Sequence, residues 1–156
     1  MHQNLLTRRR FSRREALALG AATASLAFAP VAHAQTLDKA MAEIAKFTGG
    51  TEAKRVNVTL DLPEIAENGN TVPIAFAVAS PMSPQDYVER VIIVTSANPL
   101  TRAFSASFTP ASGKAEMATR IRLAATQEVF AIAKMSDGRF FMDSKIVKVT
   151  IGGCGG

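Results

Sequence analysis

Between Val56 and Leu62 the chain alternates strictly: Val56, Val58, Leu60 and Leu62 are apolar, and Asn57, Thr59 and Asp61 between them are polar. A period of two puts the two sets on opposite faces of an extended chain, which predicts a half-buried strand ended by Pro63. Ala66-Glu67-Asn68-Gly69-Asn70 reads as a turn, and Val72 to Ala79 as a more fully apolar strand that stops at Ser80-Pro81. Tyr87 to Val94, Ala103 to Phe108, Lys114 to Leu123, Val129 to Lys134 and Phe140 to Thr150 complete the strand pattern, the last two joined across Asp137-Gly138. Only one segment departs from it. Leu37, Met41, Ile44 and Phe47 recur at helical spacing, predicting a short helix over 37–47 closed by Gly49-Gly50. Seven or so short strands with turns at this spacing predict an all-β, two-sheet sandwich of immunoglobulin-like type. Phe104, Phe108, Phe130, Phe140 and Phe141 are expected in its core or at an interface. Arg120 and Arg122 could offer a docking patch for an anion, but alternate with Ile121 and Leu123 and read as the solvent face of a strand.

Ahead of this domain, Thr7-Arg8-Arg9-Arg10-Phe11-Ser12-Arg13 precedes an apolar run from Ala16 to Phe28 and then Ala32-His33-Ala34. Basic region, short apolar region and small-x-small site form an export-and-cleavage pattern. The paired Arg8 and Arg9 with Phe11 beyond them resemble the twin-arginine signal, with Ser12 where Leu is usual. About 13 apolar residues fall short of the roughly 20 that cross a bilayer, so no membrane anchor is expected. The organisation read from the chain is therefore a signal over 1–34, an immunoglobulin-like domain over 35–150 and a tail over 151–156, with a periplasmic destination.

Cleavage after Ala34 changes the charge picture. Residues 1–34 hold five of the 18 Lys and Arg and one of the 13 Asp and Glu, leaving 13 basic and 12 acidic residues of mixed distribution. A nucleic-acid partner needs a basic face in the mature domain and is discounted. Both histidines, His2 and His33, leave with the signal. One thiol and no imidazole make poor material for a zinc or copper centre or for a nucleophile activated by a base. No metal, cofactor or catalytic residue is expected.

The remaining thiol is Cys154, set in Ile151-Gly152-Gly153-Cys154-Gly155-Gly156. Gly152, Gly153, Gly155 and Gly156 lack the Cβ that restricts backbone rotation, so they read as a flexible arm that carries a soft nucleophile. Fully extended, such a tail reaches roughly 15 Å, enough to enter another protein's active-site channel. A lone cysteine in an exported protein means an intermolecular partner or a thiol kept for chemistry.

With tail and leader in view, the chain resembles the SoxY family of sulphur carriers. The resemblance rests on Pro63-Glu64-Ile65-Ala66-Glu67-Asn68-Gly69, Val72-Pro73, Ser80-Pro81-Met82, Asn98-Pro99, Thr119-Arg120-Ile121-Arg122-Leu123, Ser136-Asp137-Gly138 and, most specifically, the terminal Gly-Gly-Cys-Gly-Gly. It implies a non-enzymatic carrier that pairs with SoxZ, a second small β-sandwich without a signal of its own. It also implies transient docking to the haem cytochrome SoxAX, to SoxB and, where present, to a sulfane dehydrogenase, and it puts the covalent sulfur attachment on Cys154. A cysteine thiol near pKa 8.5 is only a few per cent ionised at pH 7. With no basic neighbour in the tail, Cys154 is expected to rest until a visiting pocket activates it.

Two other readings compete. An adhesive or structural sandwich could use the tail cysteine for an interchain disulfide, and even a carrier is expected to form a disulfide-linked dimer off its cycle. A carrier acting through a terminal Gly-Gly carboxylate, as ubiquitin-like sulfur carriers do, would need ATP and would leave Cys154 without a task.

Overall fold

The computed structural model describes residues 29–152, with side chains from Thr36 onward. Helix α1, Ala29–Thr48, is followed by eight strands: β1 Val58–Asp61, β2 Ile65–Asn68, β3 Val72–Val78, β4 Val88–Thr95, β5 Arg102–Ser107, β6 Ala115–Ile121, β7 Gln127–Met135 and β8 Phe140–Ile151. They form two sheets, a small one ordered β1-β3-β6 and a large one ordered β2-β8-β7-β4-β5. All pairings are antiparallel except β2 with β8. The chain is thus an immunoglobulin-like β-sandwich with one N-terminal helix.

The space between the sheets holds Leu60, Val72, Ile74 and Phe76 of the small sheet against Val91, Ile93, Val129, Ala131 and Val147 of the large one. Ile92, Val94, Phe130, Ile132 and Phe140 point the other way, where Ala40 and Ile44 of α1 cover them. Covering both faces explains why β4 and β7 read as unbroken apolar runs instead of alternating: Val91 to Val94 and Val129 to Ala133 are all buried. Full burial of a side chain of this size contributes roughly 1.5–3 kcal/mol, so the helix is an integral third layer. Phe130, Phe140 and Phe141 are core, while Phe104 and Phe108 are partly buried against it.

The helix differs from its predicted form in two respects. It begins eight residues earlier than the apolar spacing indicates, at Ala29, where Pro30 is tolerated because first-turn N–H groups have no intrahelical partner. The expected cleavage position after Ala34 falls inside it. Its buried stripe runs through Leu37, Ala40, Ile44 and Phe47, while Met41 is 43% exposed. Ala40, small enough to let the helix approach the sheet, takes the central place that the spacing gave to Met41.

The turn expected over 66–70 is largely a strand. Ile65–Asn68 adds as β2 to the free edge of β8, with Ile65 opposite Lys148, Ala66 opposite Val149 and Asn68 opposite Ile151. Only Gly69 and Asn70 turn the chain toward β3. The predicted hairpin across Asp137-Gly138 is present, with Gly138 at φ 85°. Arg139 donates its backbone N–H to the Asp137 side chain, which holds that carboxyl below its ordinary range.

Candidate functional site

Cys154, Gly153, Gly155 and Gly156, like the leader residues Arg8 and Arg9, lie outside the described residues. The structure does describe what the tail grows from. β8 ends one residue beyond its predicted limit, at Ile151. Its pairing with β7 stops at Val147 opposite Gln127, so the last four residues depend on β2 and on loops. Lys148 donates its N–H to the Glu64 carbonyl at 2.9 Å. Val149 donates to the Thr126 hydroxyl at 3.0 Å. The Ile151 carbonyl accepts from Gly69 N–H at 2.8 Å, and the Gly69 carbonyl in turn accepts from Leu123 N–H at 2.8 Å.

Gly152, read from sequence as part of the arm, lies immediately beyond this ladder. Its α-carbon faces the backbone carbonyl of Ala124 so closely that a Cβ there would overlap the oxygen. Ala124 cannot easily retreat. Its N–H is donated to Asn98 Oδ1 at 2.9 Å. Asn98 Nδ2 donates to the Arg122 carbonyl at 2.8 Å, and Asn98 Oδ1 also accepts from Gln127 Nε2 at 2.8 Å. Gln127, 1% exposed, accepts from Ala97 N–H at 2.8 Å and donates to the Ala125 carbonyl at 3.1 Å. Both amide side chains therefore help to fix the segment against which the tail begins.

Neither Asn98 nor Gln127 stood out as a site residue in the sequence, where Asn98-Pro99 entered only among the motifs that carry the family resemblance. The available signal was Gln127 heading an otherwise apolar run. Replacing Asn98 by alanine is expected to leave the Ala124 N–H, the Arg122 carbonyl and one of the two Gln127 Nε2 hydrogens without these partners, costing about 1–3 kcal/mol. Denaturant unfolding reads that loss directly; an unchanged midpoint would show that the segment holds without the amide.

Beside this root, the mouth of the sandwich between edge strands β5 and β6 opens into a groove of about 460 Å³, lined among others by Asn98, Arg102, Phe104, Met117, Arg120 and Arg122. Arg120 and Arg122 are exposed, as expected for an alternating strand, and the fold adds Arg102 across from them. Met117 and Thr119, on the inward phase of β6, are also exposed. Among the described residues, no group of three His, Cys, Asp or Glu could hold a metal ion. No described helix is long and apolar enough to cross a membrane.

A sandwich that fixes the root of a cysteine-bearing tail has a form suited to a carrier. The family described as sulfur oxidation protein SoxY matches residues 44–154, and the chain belongs to that family. The sulfur carrier protein SoxY from Chlorobium limicola f thiosulfatophilum superposes with a TM-score of 0.62 at 26% identity, covering 73% of this chain and 94% of that one. A superoxide reductase (neelaredoxin) from Ignicoccus hospitalis shares the fold at a TM-score of 0.55 and 14% identity, covering 72% of this chain and 91% of that one. No curated protein sequence matches. Membership supports a role as a carrier in sulfur oxidation.

Proposed function

We propose that the chain is a periplasmic, non-catalytic sulfur carrier whose Cys154 holds thiosulfate-derived intermediates and presents them in turn to several enzymes. The observation that carries this reading is a lone thiol two residues beyond a backbone position, Gly152, that is wedged against the rigid sandwich. A fixed root and a glycine-flanked thiol give a short radius of action from a defined point. In the loading step the Cys154 thiolate and thiosulfate join as Cys-S-S-SO3⁻ and give up two electrons to a haem cytochrome of the SoxAX kind. Hydrolysis at the terminal sulfur then adds water, releases sulfate and two protons and leaves Cys-S-S⁻. A sulfane dehydrogenase oxidises the outer sulfur where the host has one, and a second hydrolysis restores the thiol.

The same reading makes Arg8 and Arg9 part of a twin-arginine export signal and pairs the chain with a SoxZ partner. The twin-arginine route moves folded cargo, which suits a pair in which only one member carries a signal. A disulfide between two Cys154 thiols is an idle form outside the cycle.

Intact-mass analysis of the chain purified from thiosulfate-grown cells tests the proposal. Thiosulfonate and persulfide increments are expected, both confined to the peptide that contains Cys154. Protein carrying only free thiol or Cys154 disulfide under those conditions would favour the adhesive alternative instead.

A further inference from the structure

The large sheet ends on one side at β2 and on the other at β5, and the small sheet at β1 and β6. An exposed edge strand offers unpaired N–H and C=O groups to any strand that comes alongside, so edges are ordinarily shortened, charged or capped. Among the described residues, three of these four edges are protected in that way. β2 is four residues long and carries Glu67, β1 is as short and has its Leu60 N–H held by the Asp143 carboxylate at 2.9 Å, and β6 carries Glu116 and Arg120. β5 differs. From Ala103 to Thr109 the chain has no charged residue and no proline. Phe108 donates its N–H to the Glu89 carbonyl at 3.0 Å, so by alternation Ala106 and Phe104 also turn toward β4, while Ser105 and Ser107 turn their backbone groups outward. Both serines are exposed.

The edge is also complementary to itself. Laid antiparallel on a second β5 about a two-fold axis at Ala106, Ser105 exchanges a pair of backbone hydrogen bonds with Ser107 of the copy, and Ser107 does the same with Ser105 of the copy. That register sets Ala106 against Ala106 and Phe104 against Phe108 on the inner face. Both rings are only partly buried within one chain, packed on Phe76 with centroids 6.4 and 6.2 Å away, and each gains an aromatic cross-strand neighbour. Arg102, the nearest charge, lies beyond the paired residues and is engaged by Glu43 of α1. We infer that β5 is a docking edge for a second copy of this chain, which joins the two large sheets into one. The tail root stays clear, because β8 and β2 lie at the opposite edge. The two β8 strands are then about 34 Å apart, three strand spacings on each side of the junction and one across it, at about 4.8 Å each. Arms that reach roughly 15 Å cannot join across that distance, so this dimer is distinct from a Cys154 disulfide and leaves both thiols available.

An edge of this length buries less than the roughly 800 Å² per partner of a standard interface, so the dimer should form and part with concentration. Sedimentation velocity of the purified full chain in reductant is expected to show monomer giving way to dimer as concentration rises toward about 1 mM. Over the same range the Ser105 and Ser107 amides should gain protection from hydrogen exchange, while the Ala106 amide, already turned to β4, stays as it is. Ser105→Pro removes an outward N–H without touching the β4 ladder and should weaken dimerisation at least about tenfold. Ser105→Lys/Ser107→Lys should do the same by charge alone, which keeps the test valid if proline also lowers the unfolding midpoint. Ser105→Ala, which keeps the backbone groups, and Cys154→Ser should both dimerise like the parent. Protein that stays monomeric at about 1 mM, a dimer that reductant or Cys154→Ser dissolves, or a dimer indifferent to both edge variants overturns the inference. So does protection of Ser105 and Ser107 that arises only when a different subunit is added, since the edge would then belong to that subunit.

Discussion

Replacing Cys154 by serine is expected to abolish thiosulfate-dependent cytochrome reduction in the reconstituted system, with no residual turnover above background. The hydroxyl is nearly isosteric with the thiol but cannot form the sulfur–sulfur bond on which the intermediates hang, and its anion is not populated at neutral pH. Serine is expected to leave the fold alone, because it differs from cysteine by one atom and the sandwich is assembled from strands that end at Ile151. Substitutions that disturb no core contact, cap or buried polar group usually stay within about 0.5 kcal/mol of the parent in stability. The variant should therefore unfold at the parent midpoint and still bind the SoxZ partner, which separates loss of cargo from loss of structure. Measurable turnover by Cys154→Ser protein would mean that sulfur travels by another group, and the terminal carboxylate would be the next to examine.

The proposed chemistry of this chain rests on one residue visible in the sequence, a cysteine set among glycines; the platform from which its tail grows is not visible there. Strand identity was readable wherever one face is buried, as in Val58 to Asp61, or both are, as in Val91 to Val94. β2 escaped notice because it buries only Ala66 and otherwise presents Ile65, Glu67 and Asn68 to solvent, so it carries no alternation and ends in turn-forming residues. Its existence depends on β8, whose partner residues lie more than 80 positions later. The same non-locality hides the brace behind the tail. Asn98 meets Ala124 across 26 residues and Gln127 across 29, and no local pattern encodes such a meeting. Arg102 joins Arg120 and Arg122 only because the two sheets place their open edges side by side. Local periodicity thus marked most strands and the helix, whereas the fixed root and the basic groove are products of sheet order.

That distinction yields the second large effect, at a glycine whose role the structure makes different from its neighbours'. If Gly152 served only to loosen the tail, alanine there would be almost neutral in stability, since one methyl group on a mobile segment touches nothing. Instead a Cβ at this position would overlap the Ala124 carbonyl, a backbone atom fixed through Asn98 and unable to swing aside like a side-chain tip. Either the tail or the Leu123–Ala124 segment must move, and overpacking of this kind costs roughly 1–3 kcal/mol. The bonds nearest the clash are those from Gly69 to Ile151 and from Leu123 to Gly69, which tie the end of β8 and the Leu123–Ala124 segment to the residue after β2. Gly152→Ala, and more strongly Gly152→Val, should lower the unfolding midpoint and speed hydrogen exchange at the Gly69 and Leu123 amides. Transfer to each enzyme should slow as well, because the thiol would then start from a wandering origin. Gly153→Val or Gly155→Val should slow transfer while leaving midpoint and exchange untouched. Gly152→Ala protein with the parent's midpoint and protected Gly69 and Leu123 amides would show that the root yields without cost, and the anchored-arm account would have to be abandoned.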